Sequence, residues 1–147
     1  MPWVIVLVVG AVFLYAWAST SIEGGEDMSS ALSQKIAEAI ATAEGYFHPS
    51  GTAIPQRANN PGNLKLGDIG LGTIGGKTIY ATIADGWAAL ERQIDLILTG
   101  QSRYYKPDMT ILEVAQTYTG GDNAQAWANI VAEKLGVTPN TRIGEVG

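Results

Sequence analysis

The chain has 147 residues, 46% of them hydrophobic, and a formal net charge of −5, enough for one globular domain with a real core and little more. It has no cysteine and a single histidine, His48 in the turn-like His48-Pro49-Ser50-Gly51, which excludes disulfides, thiolate metal sites and a multi-histidine metal centre. The nine Lys and Arg residues are scattered from Lys35 to Arg142 without a basic stripe, so nucleic acid is not expected as a partner; no metal or cofactor is implied.

Trp3 to Ala18 contains no charge. As a helix with Pro2 it would span about 25 Å, slightly short of a hydrocarbon core of about 30 Å. Trp3 near one end, with Tyr15 and Trp17 near the other, fits an interfacial aromatic belt. Residues 1–18 are therefore expected to form a single-pass anchor in a lipid membrane. The competing reading is a cleaved signal peptide using Ala16-Trp17-Ala18, but the basic region that opens such peptides is missing. The acidic run Glu23-Gly24-Gly25-Glu26-Asp27 sits more comfortably on the non-cytoplasmic side, which places the rest of the chain there. Residues 19–29 read as a flexible Ser/Gly/acidic tether.

From residue 30 onward a folded domain is expected. Leu32, Ile36, Ala39, Ile40 and Ala43 recur at three- and four-residue spacing, which predicts a helix with Ser30 as N-cap and Gly45 as its stop. Tyr46 to Gly76 holds seven glycines and three prolines, so turns and irregular loops should dominate. Lys77 to Ile83 is β-prone and could pair with Leu64 to Leu66 in a small hairpin. Asp85 can cap a second helix through Leu98, with Trp87, Leu90, Ile94, Ile97 and Leu98 inward. Thr110 and Glu113 match a capping box that opens a third helix to about Thr117. Asp122 can cap a last helix from Ala124 to Leu135, closed by Gly136. The expected class is mainly α with a small β element.

Most carboxylates lie beside Lys or polar neighbours and read as solvated. Glu44 differs, because it follows Ile40 by four residues and borders the apolar face. It also closes its helix, where the negative end of the dipole opposes ionisation. A carboxyl that keeps its proton can serve as a general acid.

Glu44-Gly45 is followed by Arg57-Ala58-Asn59-Asn60-Pro61-Gly62-Asn63-Leu64. This pairing resembles the phage-type members of the lysozyme-like superfamily, which include lytic transglycosylases and virion-associated muramidases. Ala84-Asp85-Gly86-Trp87-Ala88-Ala89-Leu90 is similar to the family's Gly-x-x-Ala-Leu helix start, and Thr117-Tyr118-Thr119-Gly120-Gly121-Asp122 to its Tyr-containing loop. The resemblance covers about residues 30 to 142 and implies an α+β lysozyme-like fold that cuts peptidoglycan glycan strands. By it Glu44 is the catalytic acid, and Asn60, Asn63, Tyr118 and Arg57 bind substrate. The bland readings stand beside these: an Asx-type turn at Asn59-Asn60 and a core aromatic at Tyr118.

Two-carboxylate hydrolases need a second acid, for which Asp68 is the best candidate. Lytic transglycosylases manage with one Glu, and that scheme is preferred. The alternatives are a muramidase hydrolase and a non-catalytic peptidoglycan-binding protein of a virion membrane. With the anchor, the resemblance suggests local wall cutting during phage genome entry, with other virion membrane proteins as possible partners.

Overall fold

The computed structural model describes residues 31–66 and 70–147. The expected anchor (residues 1–18), the tether (residues 19–29), the Ser30 cap and Asp68 lie outside them. Among the described residues no helix is long and apolar enough to cross a membrane.

The three- and four-residue apolar spacing produces helix α1 over residues 31–43, which buries Ile36, Ala37, Ala39, Ile40 and Ala41. Its end is set by Gly45, at φ +83°. The Gly45 amide donates to the Thr42 carbonyl at 3.2 Å and the Tyr46 amide to the Ala41 carbonyl at 3.0 Å. This paired closure is a Schellman motif, and it makes Glu44 the C-cap.

The glycine- and proline-rich stretch contains one element that periodicity does not reveal, the one-turn helix α2 (Ile54–Arg57). Pro55 suits its first turn, and Gln56 fastens it. The Gln56 side-chain Oε1 accepts from the Ala53 amide at 2.9 Å, while its Nε2 donates to the His48 carbonyl at 2.6 Å.

The hairpin differs from expectation. Strand β1 (Thr73–Ile74) pairs antiparallel with β2 (Lys77–Thr78) around Gly75-Gly76, both at positive φ. Two such residues favour the tight turn whose twist matches a hairpin, so the neighbouring segment wins the regular pairing. Leu64 to Leu66 only flanks β2: the Leu64 carbonyl accepts from the Thr78 amide at 2.9 Å, and the Thr78 hydroxyl bridges the Leu66 backbone.

Helix α3 (Ile83–Leu98) buries Leu90, Ile94 and Ile97, with Trp87 and Leu98 half-buried. Its cap is Thr82, whose hydroxyl accepts from the Asp85 amide at 3.1 Å; Asp85 sits inside the first turn, where its charge favours the dipole. Ser33 of α1 donates to Asp95 of α3. Helix α4 (Ile111–Thr119) opens with the expected reciprocal capping box of Thr110 and Glu113 and stops at Gly120. Helix α5 (Ala124–Leu135) has the expected bounds, but its N-cap is Asn123 at φ +59° rather than Asp122. Helices α4 and α5 pack together through a shared core that includes Val114, Ala115, Trp127 and Val131. The C-terminal strap returns to the start of α4, where Ile111 and Leu112 donate to the Thr141 and Pro139 carbonyls. Residues Ser33–Gly147 form one compact unit, mainly helical with a small antiparallel hairpin.

Candidate functional site

The Schellman closure leaves the Glu44 side chain at the end of α1, half-buried, on the wall of a cleft of about 700 Å³. That volume falls within the roughly 300–1,000 Å³ usual for ligand sites. Two donors hold the carboxyl from distant parts of the chain. Trp127 Nε1 of α5 donates to Oε1 at 2.8 Å, and Asn63 Nδ2 donates to Oε2 at 3.0 Å. Each carboxyl oxygen has two lone pairs, so each can accept one N–H and still handle a proton.

The Asn59-to-Asn63 loop positions the second donor. Asn59 and Asn63 sit at φ +50° and +51°, a left-handed geometry that asparagine tolerates better than most residues. Asn59 Nδ2 donates to the Tyr80 carbonyl at 3.1 Å. Asn60 is fully buried and saturated within the loop: its Nδ2 donates to the Leu64 and Thr78 carbonyls, and its Oδ1 accepts from the Leu64 amide. Gly62 lets the loop lie against Leu90, whose Cδ1 would stand 2.6 Å from an added Cβ. Tyr118 donates its hydroxyl to the Gly62 carbonyl, which ties α4 to the loop.

Behind Glu44 the aromatics stack in series. The Tyr118 ring lies 5.1 Å from Trp127 at 33°, and Tyr105 lies 6.3 Å from Tyr118. Burial pushes the Tyr118 hydroxyl well above its ordinary value, reinforced by the charge of Glu44 and by Tyr105 and Tyr80. Burial, then Glu44, also pushes Tyr105 up. Both hydroxyls thus stay protonated as donors. Lys65 and Lys77 stand on the same cleft wall. Lys77 is pushed down by burial and by Lys65, against an opposing pull from Glu44.

The structure brings Glu44, Asn63 and Tyr118 together in the cleft. It does not bring Asn60 or Arg57 there. Asn60 has spent its polar atoms on the loop, so a substrate-binding role gives way to an architectural one. Arg57 is exposed on the last turn of α2, outside the cleft lining. His48 is an exposed loop residue bonded to Ser50. Comparison with family models, curated proteins and solved structures found no match to this chain.

Sequence reasoning missed Trp127, Tyr105, Lys65, Lys77 and Asp122 as cleft residues. Trp127 left one usable signal: a buried indole needs an acceptor for its N–H. Among the described residues Asp122 is the one other carboxylate lining the cleft. No group of three His, Asp or Glu among the described residues is placed to hold a metal ion. A second cavity of about 650 Å³, lined by Leu71, Tyr80, Arg92 and Leu96 among others, does not include Glu44.

Proposed function

We propose that this domain is a lysozyme-like enzyme that cuts the glycan strands of peptidoglycan by lytic transglycosylation, with Glu44 as general acid and then general base. The observation that carries the reading is the double hold on Glu44 at the cleft wall. An acid used in both directions must present one oxygen to two reacting atoms in turn, and a carboxyl fixed from two sides loses little entropy in doing so. Glu44 gives its proton to the glycosidic oxygen as the bond to the anomeric carbon breaks. It then takes a proton from the sugar's own 6-hydroxyl, whose oxygen closes onto that carbon as a 1,6-anhydro ring. The proton lost in the first step is thus recovered in the second.

Asn63 suits this cycle. As the amide stands it donates to Glu44, and its Oδ1 is buried without a donor among the described residues. A half-turn of the amide presents Oδ1 to a protonated Glu44, so one side chain can serve both proton states. Tyr118, half-buried and packed on the buried Trp127, gives the cleft an apolar patch beside the acid against which a sugar ring can rest.

Glu44→Gln keeps the shape and removes the acid. Loss of wall lysis by at least about a hundredfold, with an unchanged melting curve, is the expected result; lysis at wild-type rate overturns the reading. Asp122 on the cleft wall favours the second reading, a hydrolase. Asp122→Asn and the mass of the released fragments separate the two. Anhydro ends with Asp122→Asn active mean transglycosylation, and reducing ends with that variant inactive mean hydrolysis. The membrane anchor and a role in phage entry stay part of the proposal, tested by locating the full chain in purified particles and in cell envelopes.

A further inference from the structure

We propose that Lys65 and Lys77 form a carboxylate subsite beside Glu44, which takes the acidic substituent carried on the lactyl arm of a glycan strand. The inference rests on the glycan reading above and names the part of the substrate that this wall of the cleft recognises.

The two lysines are brought side by side by the backbone bond from the Thr78 amide to the Leu64 carbonyl, which lays the Leu64-Lys65 segment against β2. Both side chains line the Glu44 cleft. Neither is in an ion pair: the one ion pair among the described residues joins Arg142 to Glu145, and Glu44, whose charge pulls on Lys77 without contact, has its two oxygens held by Asn63 and Trp127. Two cations without an ion-pair partner share this cleft, the exposed Lys65 and the half-buried Lys77, and burial together with the charge of Lys65 works against the charge of Lys77. A bound anion offsets both costs, the repulsion and the lost hydration, by its attraction to the two ammonium groups. The backbone of alternating amino sugars is uncharged and offers no such anion. Its lactyl arms do, either as the carboxylates of an attached peptide or, once that peptide is removed, as the free lactyl carboxylate. A lysine ammonium binds such a group as a point charge with freely turning donors, which suits a mobile substituent better than a sugar hydroxyl.

The test uses the full chain, as wild type, as K65Q, as K65Q/K77Q and, as a charge-matched control, as K134Q on the exposed face of α5. Binding is measured by calorimetry to three probes: peptide-bearing glycan strands, strands stripped to the lactyl carboxylate, and chitin oligosaccharides without lactyl arms. The double variant is expected to lose at least about tenfold in affinity for one or both carboxylate-bearing probes, with K65Q part-way. Its affinity for chitin oligosaccharides should equal wild type, and K134Q should match wild type throughout. Loss confined to the peptide-bearing strands identifies the peptide as the anion, and loss confined to stripped strands identifies the lactyl group. Unchanged affinity of the double variant for all three, or an equal loss on all three, overturns the subsite and leaves the glycan reading standing. A wild type that binds none of the probes overturns the glycan reading and the subsite with it.

Discussion

Glu44 is held by donors 19 residues and 83 residues away in the chain, and these two contacts fail differently when removed. Trp127→Phe keeps an aromatic in the core and deletes the N–H. A hydrogen bond to a charged group is worth about 1.5–3 kcal/mol, so if half of it is felt by the reacting carboxyl, the rate of glycan cleavage should fall about three- to tenfold. Turnover measured at saturating substrate, beside a melting curve that shows the fold intact, checks this. Asn63 carries two duties, a left-handed backbone and a side-chain donor. Asn63→Gly removes only the donor, whereas Asn63→Ala also strains the backbone. Both should lose activity alike, with Ala the less stable by about 1 kcal/mol in urea denaturation. Equal stability of the two would mean that the loop relaxes out of its left-handed turn.

The loop from Asn59 to Asn63 acts as an element although it has no regular structure, and α3 is shaped to receive it. A Cβ on Gly86 would stand 1.8 Å from the Asn59 carbonyl oxygen, a backbone atom with no rotamer to swing away. Helix propensity alone argues that Gly86→Ala should stabilise α3 by about 1 kcal/mol. The overlap outweighs it, and a net loss of about 2 kcal/mol is expected by chemical denaturation, with glycan cleavage falling as the loop is pushed from Glu44. Gly45→Ala is the contrasting case. Nothing lies within 4 Å of its Cβ, so only the positive φ is violated, at about 1–2 kcal/mol. If Gly86→Ala proved the milder of the two, the close seating of loop on helix would be wrong.

At the scale of the molecule, the unit from Ser33 onward buries apolar side chains from α1, α3, α4 and α5, with Tyr118 fastening α4 to the loop. That fastening is a proton-linked contribution. Tyr118 has a folded-state value raised well above the 10.0 of a free phenol, first by burial and then by Glu44. The folded protein therefore keeps a proton that the unfolded chain gives up above pH 10. The contribution is complete below that pH and is lost as pH climbs from 10 through the folded value. The melting temperature is expected to decline above pH 10, and Tyr118→Phe should lower stability at neutral pH while flattening the alkaline decline. An alkaline profile identical in the two proteins would show that the hydroxyl is not enclosed.

What was legible in the sequence was whatever depends on neighbours along the chain. Apolar spacing set α1 and the inner face of α3, the Thr110–Glu113 box set the start of α4, and Gly136 set the end of α5, because helices answer to residues a few positions apart. The end of α1, and with it the place of Glu44, followed from Gly45. Less was legible where several local partners compete. Thr82 rather than Asp85 caps α3, and Gly75-Gly76 draws β2 to β1 rather than to Leu64. Only the tertiary structure decided which polar groups meet. Asn60 and Asn63 are three positions apart in one motif, yet one is consumed inside its loop and the other reaches Glu44. Trp127 joins them across 83 residues. Such contacts are fixed by how the helices pack, and no pattern of near neighbours encodes that distance.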